Sequence, residues 1–227
     1  MNSTIAIIGA GPGMGAAIAR TFGAQGFNVA LIARNRTKLD ALVANLAGED
    51  ITAAGFTADV LDPGSLRGAL AAAEERFGGI DVLEHSPSSS LQDARLTMPS
   101  QTTPAAVQQH LEFQFYSALT ATEAVLPRMR ERGSGTLLFT TGAGSVEPVP
   151  MLANVNAAHA ALRNWVLNLH NELAEDGIQA AHVAIGVFIG DEAPDGYASA
   201  PADRIAPVYW DLHIKREQAE IVFTGVL

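Results

Sequence analysis

The segment Ile5-Ala-Ile-Ile-Gly9-Ala-Gly11-Pro-Gly13-Met-Gly15-Ala-Ala-Ile-Ala-Arg20 limits what this chain can fold into more than any other. An apolar run of strand length breaks into a cluster of glycines, and a helical period resumes at Met14. A strand that feeds a helix N-terminus in this way leaves several free backbone N–H groups and the positive end of the helix dipole at one point, which suits a pyrophosphate. Glycines are needed because a Cβ would obstruct the tight turn, the phosphate, or the packing of helix on strand. The segment therefore predicts a nucleotide site at Gly9, Gly11, Gly13, Met14 and Gly15.

The rest of the chain repeats the alternation. Short apolar runs at residues 5–8, 29–33, 51–57, 80–85, 136–140 and 181–187 read as strands covered on both faces. Segments of helical period at residues 14–25, 37–47, 63–77, 103–132, 153–176 and 202–219 lie between and after them. Repeated βαβ units imply a mainly parallel sheet with helices on both faces. No domain boundary stands out, so residues 1–227 read as a single unit. The loop-like stretches 86–103 and 190–201 both follow strands, where ligands bind in open parallel sheets.

Composition removes several classes of function. With 24 acidic against 14 basic residues the net charge is −10, and such a field repels nucleic acid and anionic lipid. The absence of cysteine excludes disulfides, thiolate nucleophiles and cysteine-ligated metals, and the six histidines show no metal-binding spacing. Neither a leader-like N-terminus nor an apolar run of membrane-spanning length is present, so the expectation is a cytoplasmic protein with no metal, nucleic-acid or membrane partner.

At the end of the second strand, dinucleotide-binding folds that prefer NAD place an acidic residue on the adenosine ribose. Here Ala33 is followed by Arg34, Asn35 and Arg36. Two guanidinium groups and no carboxylate are what a 2′-phosphate needs, which favours NADP over NAD.

Beyond the glycine loop, Leu31-Ile-Ala-Arg34, Ala58-Asp59-Val60, Phe77-Gly-Gly-Ile-Asp81-Val-Leu, Ala124-Val-Leu-Pro127-Arg-Met129, Ala160-Ala-Leu162 and Glu172-Leu173 fall into one register. With these motifs the sequence resembles the short-chain dehydrogenase/reductase family over nearly its whole length. The resemblance implies a Rossmann-type doubly wound α/β fold of about seven parallel strands in the order 3-2-1-4-5-6-7. It also implies a homodimer or homotetramer packed through the long helix of residues 103–132, whose small-residue stripe includes Ala118 and Ala121. Asp59 and Val60 would meet the adenine, and Gly186 and Phe188 would lie against the nicotinamide carboxamide.

The same register places Val155 where the family has its catalytic tyrosine, His159 at the lysine, Gly142 at the serine and Gln114 at the helix asparagine. Glu84-His85-Ser86-Pro87 replaces the usual Asn-Asn-Ala-Gly. By this resemblance the chain is an atypical member that keeps its cofactor features and lacks the Ser/Tyr/Lys machinery, since valine cannot transfer a proton. The remaining candidates for acid/base work are His159, as an acid or a ribose contact, and Thr141, as a hydroxyl that polarises a carbonyl. Two functions follow. One is an NAD(P)-dependent oxidoreductase of non-standard mechanism acting on a small carbonyl or imine; the other is a dinucleotide-binding sensor, regulatory or scaffold protein without turnover.

Overall fold

The computed structural model describes residues 2–88 and 95–225, so part of the 86–103 loop, residues 89–94, lies outside the described residues. Strands β1 (Thr4–Ile8), β2 (Asn28–Ala33), β3 (Ala53–Thr57), β4 (Val82–His85), β5 (Gly135–Gly142) and β6 (Ile178–Ile185) alternate with helices α1 (Met14–Gly23), α2 (Arg36–Ala47), α3 (Pro63–Phe77), α4 (Pro104–His110), α5 (Ser117–Arg132) and α6 (Ala153–Leu173). The chain closes with a two-residue pair, β7 (Phe188–Ile189) and β8 (Ser199–Ala200), then α7 (Ala202–Ile205), α8 (Pro207–Lys215) and β9 (Glu220–Phe223). Seven strands form one parallel sheet in the order β3-β2-β1-β4-β5-β6-β9. This is the expected Rossmann-type order, with β9 as the seventh strand.

Strand alternation divides the core. On one face Ile5, Ile7, Leu31, Val82 and Leu138 pack with α1, α2 and α8; on the other Ala6, Ile8, Leu83, Leu137 and Phe139 pack with α3, α5 and α6. The helices start where side chains satisfy their free amides. Asp62 accepts from Gly64 N and Ser65 N beneath Pro63, and Asn35 Oδ1 accepts from Lys38 N. α3 ends on Gly78, whose φ of +88° is left-handed.

Three expectations change. The single helix at residues 202–219 is two helices, because Pro207 has no N–H to continue the first, and α8 stops at Arg216 in a left-handed conformation. The segment after it is the edge strand β9, held by Glu220, which takes a bidentate contact from Arg163 (2.5 and 2.7 Å) and a bond from His182 Nδ1 (2.9 Å). Finally, Ala118 and Ala121 do not form an outward stripe: both are fully buried against this chain's own sheet. A charge there strikes the core, so Ala118→Asp is expected to cost at least about 3 kcal/mol of stability, read as a large fall in melting temperature.

α4 and α5 belong to one helical rod, and the segment between them, Leu111–Tyr116, is a π-helical turn. Such a turn carries one extra residue and commonly sits beside functional sites.

Candidate active site

The carboxyl ends of β1, β4, β5 and β6 surround a cavity of about 580 Å³. Its floor on one side is the glycine turn. Gly9 N and Ala10 N both donate to Ile32 O (3.0 and 3.1 Å), and this reversal at φ +95° aims the chain into α1. α1 begins at Gly13 with no side-chain cap and no acidic residue in its first turn, which leaves its positive end for an anion. The glycines divide by role. A Cβ on Gly15 would come 2.9 Å from Ala10 Cα, whereas one on Gly13 meets nothing within 4 Å and one on Gly11 only Gly9 O at 3.9 Å. Gly9 and Gly15 serve the backbone's own packing, and Gly11 and Gly13 keep the cradle open.

The adenosine-side candidates lie beyond the cavity wall. Arg34 is exposed and has no hydrogen-bonding partner among the described residues, Asn35 is committed to its cap, and Arg36 pairs with Asp40 one turn on (2.8 Å). Asp59 Oδ1 accepts from Leu61 N (3.0 Å), and Asp59 and Val60 are half-buried at the end of β3. At the other end Val187 and Ile189 line the cavity, whereas Phe188 turns outward to stack edge-on with Tyr197 at 5.5 Å. Gly186 is a packing glycine: its N–H donates to Phe223 O (2.8 Å), and a Cβ would come 3.2 Å from both that oxygen and Ala143.

His159 lines the cavity from α6, is 9 % exposed, and has no partner on either ring nitrogen among the described residues. Burial, reinforced by His110 and His182, lowers its pKa to about 4, so the ring is neutral near pH 7. Gly142 stands across from it, its Cβ position 4.0 Å from His159 Nδ1. Gln114, in the π turn, donates from Nε2 to Pro87 O (3.0 Å) and leaves Oε1 buried without a partner. Val155, one turn before His159, is half-buried and outside the cavity lining. Thr141 reaches the cavity wall, but its hydroxyl is already engaged by Gly142 O (3.0 Å), Ser145 Oγ (2.9 Å) and His182 Nε2 (2.8 Å).

Further polar groups lie under the cavity, among them the Glu84-His85 pair that the sequence places at the carboxyl end of the fourth strand. Glu84 is completely buried; Ser86 Oγ donates to Oε2 (2.9 Å) and Thr140 Oγ1 to Oε1 (3.0 Å), with Tyr209 Oη 2.8 Å from the same threonine oxygen. Burial raises Glu84 to about 8. His85, the next residue, faces the opposite side of the sheet, where Nε2 lies 2.8 Å from Ser117 Oγ. Ser117 Oγ donates to Phe113 O (2.6 Å) in the π turn. His85 Nδ1 has no partner, and burial lowers the pKa to about 3.

A family model described as short chain dehydrogenase matches residues 3–193. The chain belongs to the short-chain dehydrogenase family. Among curated short-chain dehydrogenases and their relatives it is 26 % identical over 190 residues to dehydrogenase/reductase SDR family member 4 of Bos taurus, covering 83 % of this chain and 67 % of that protein. It is 28 % identical over 208 residues to a fatty acyl-CoA reductase of Mycobacterium tuberculosis, covering 89 % and 70 %. The chain thus spans about two thirds of the length of these relatives. Among solved structures, the NADPH-bound short-chain oxidoreductase of Pseudomonas aeruginosa PAO1 described as containing an atypical catalytic center superposes with a TM-score of 0.88 at 20 % identity, over 99 % of this chain and 96 % of that one. Among the described residues of this short-chain dehydrogenase no helix is long and apolar enough to cross a membrane.

Proposed function

We propose that this chain is an NADP-dependent oxidoreductase that lacks the family's Ser/Tyr/Lys residues and reduces or oxidises a small carbonyl or imine by a modified proton route. The observation that carries the reading is one continuous cavity, open at Gly11 and Gly13 and ending at His159 and Gln114, where both His159 ring nitrogens and Gln114 Oε1 are buried with no hydrogen-bond partner among the described residues. Buried polar atoms without partners are costly, and a polar ligand in the cavity satisfies them. The residues fit a dinucleotide. Gly11, Gly13, Met14 and the α1 amides would hold the pyrophosphate, Arg34 the 2′-phosphate, and Asp59 and Val60 the adenine. His159 would meet the nicotinamide ribose, and Gly186 and Phe188 mark the strand end beside the carboxamide. When bound, the cofactor supplies hydride chemistry. NADPH in the Pseudomonas neighbour is in keeping with the cation-rich end of β2.

In this reading Val155, Gly142, His159 and Gln114 stand in the places of the tyrosine, serine, lysine and asparagine. His159 is neutral, so it accepts from or donates to a hydroxyl and brings no fixed charge. Thr141, tied to Ser145 and His182, positions the end of β5 and is not a free donor to substrate. The same reading takes the chain as a single dinucleotide-binding unit that acts in the cytoplasm as a homodimer or homotetramer.

Fluorescence titration with NADPH and NADH tests the reading, together with oxidation of bound NADPH against a carbonyl and imine panel. Arg34→Ala is expected to weaken NADPH about ten- to a hundredfold and NADH little, the loss of one charge-assisted pairing. His159→Ala is expected to weaken both and to slow turnover. Equal effects of Arg34→Ala on the two cofactors would remove the preference for NADP; binding with no oxidation of any substrate would favour a sensor, and no binding would end the dinucleotide reading.

A further inference from the structure

One of the buried ionisable groups that the proposed function does not use, Glu84, is linked to the cavity through its partners. Glu84 lies at the carboxyl end of β4, completely inaccessible, and its two hydroxyl partners Ser86 and Thr140 both line the cavity. The carboxyl group is therefore one hydroxyl away from whatever occupies the site.

Among the described residues no cation compensates a negative charge on Glu84. The titratable group facing it from α8 is Tyr209, whose own ionisation burial strongly opposes. On the same sheet face α1 contributes the apolar Met14 and Ile18, and His85 looks to the other face and α5. A carboxylate there would be a buried charge with hydroxyl partners only, a costly state, whereas the neutral acid is at home. Glu84 consequently keeps its proton up to about pH 8. In that form its own O–H donates to Thr140 Oγ1, and the threonine hydrogen turns toward Tyr209 or the cavity.

On the reading that the cavity takes a nicotinamide dinucleotide, we propose that Glu84 is a redox-linked proton site, protonated beneath the reduced ring and ionised beneath the oxidised one. Loss of hydride, with its electron pair, leaves one positive charge on the nicotinamide. Release of the Glu84 proton places one negative charge below it, so the buried charge stays balanced. The proton passes from the Glu84 carboxyl through the hydroxyl of Thr140 or Ser86, each giving up one hydrogen as it takes another. Chemically it balances the reduction of a carbonyl: the C=O π bond breaks, hydride forms the new C–H bond and the proton the new O–H bond. Glu84 acts through its neighbours and is a positioning residue in this scheme.

The test is calorimetric titration of the whole chain with NADP⁺ and with NADPH, between pH 6 and 9, in buffers of different ionisation enthalpy. Both ligands carry the 2′-phosphate, so its titration cancels in the comparison. The wild-type chain is expected to release close to one proton more on binding NADP⁺ than on binding NADPH near neutral pH. Its relative affinity for NADP⁺ should then rise toward tenfold per pH unit below pH 8. Glu84→Gln, which keeps the shape of the neutral acid, should flatten the ratio and abolish the extra release. An equal proton count for the two ligands in the wild type, or an unchanged slope in Glu84→Gln, overturns the proposal. Infrared spectra of the ligand-free chain at pH 7 give a second reading. A carboxylic-acid C=O band that Glu84→Gln removes is expected, and absence of that band overturns the proposal even if both cofactors bind. If neither cofactor binds while the band is present, it is the dinucleotide reading that has failed, and the redox linkage fails with it.

Discussion

Gly9→Ala is expected to destabilise the chain by about 3–5 kcal/mol and to abolish dinucleotide binding, while Gly13→Ala, four residues on, leaves stability nearly unchanged. At Gly9 two penalties coincide. The φ of +95° is one that an L side chain rarely adopts, and the added Cβ would fall 2.6 Å from Ser86 O and 2.7 Å from both Pro87 N and Pro87 Cα. All three are backbone atoms of the segment leaving β4, so no rotamer change relieves the clash; the strand end itself must move. Against a typical total stability of about 5–15 kcal/mol that is a large share. At Gly13 φ is −89° and a Cβ meets nothing within 4 Å, so the methyl group enters the open cradle. Its expected effect is on binding alone. Thermal melts with NADPH titrations separate the two, and a Gly13→Ala chain that binds as well as wild type would show that the phosphate does not lie at Gly13.

The second large effect is acid sensitivity. His85 and His159 are held neutral by burial, with pKa values lowered from 6.5 to about 3 and about 4, and burial lowers His182 as well. A histidine of this kind binds its proton more readily when unfolded. Its stabilising contribution is complete above pH 6.5 and is lost as pH falls toward the folded value. At about 1.4 kcal/mol per pH unit for each group, His85 and His159 together lose about 5 kcal/mol or more between pH 6.5 and 4. Glu84 acts with the opposite sign: raised from 4.5 to about 8, it contributes stability that is lost as pH rises from 4.5 to 8. Two or three histidines outweigh one carboxyl below pH 6.5, and the carboxyl acts alone above it. The melting temperature is therefore expected to peak near pH 6.5 and to fall on both sides. Glu84→Gln should remove the alkaline limb and His85→Gln should soften the acid one. A melting temperature unchanged between pH 7 and 5 would contradict the assignment of neutral buried imidazoles.

Local signals carried most of the strands, and the family resemblance their order in the sheet. The largely apolar runs at β1, β2 and β4 to β6 reflect helices that cover both faces, and turn or helix-start signals follow them, such as Asn35 capping α2 after β2. The glycine turn was legible for the same reason: its requirements are met within a dozen residues. β9 was not, since an edge strand of four residues with a glutamate at its start has no periodicity to betray it, and its position depends on Arg163 and His182. The proton-holding chemistry was equally hidden. Glu84 was legible as a polar residue at the end of β4, but its partners were not until β5 and α8 bring Thr140 and Tyr209 together, and Thr141 reads as a free hydroxyl until β6 brings His182. Beyond the end of β6 the alternation of β7 turns Ile189 to the cavity and the Phe188 ring toward Tyr197.

The start of α5, after the π turn at Leu111–Tyr116, has an effect on the neighbouring strand. Ser117, the residue that follows the turn, spends its only hydrogen on Phe113 O at 2.6 Å and keeps lone pairs alone for His85. His85 must then carry its hydrogen on Nε2, leaving Nδ1 bare. One hydroxyl on a helix thus selects a single tautomer on the neighbouring strand, and a nitrogen-15 spectrum of the imidazole would read it as the address of one hydrogen atom.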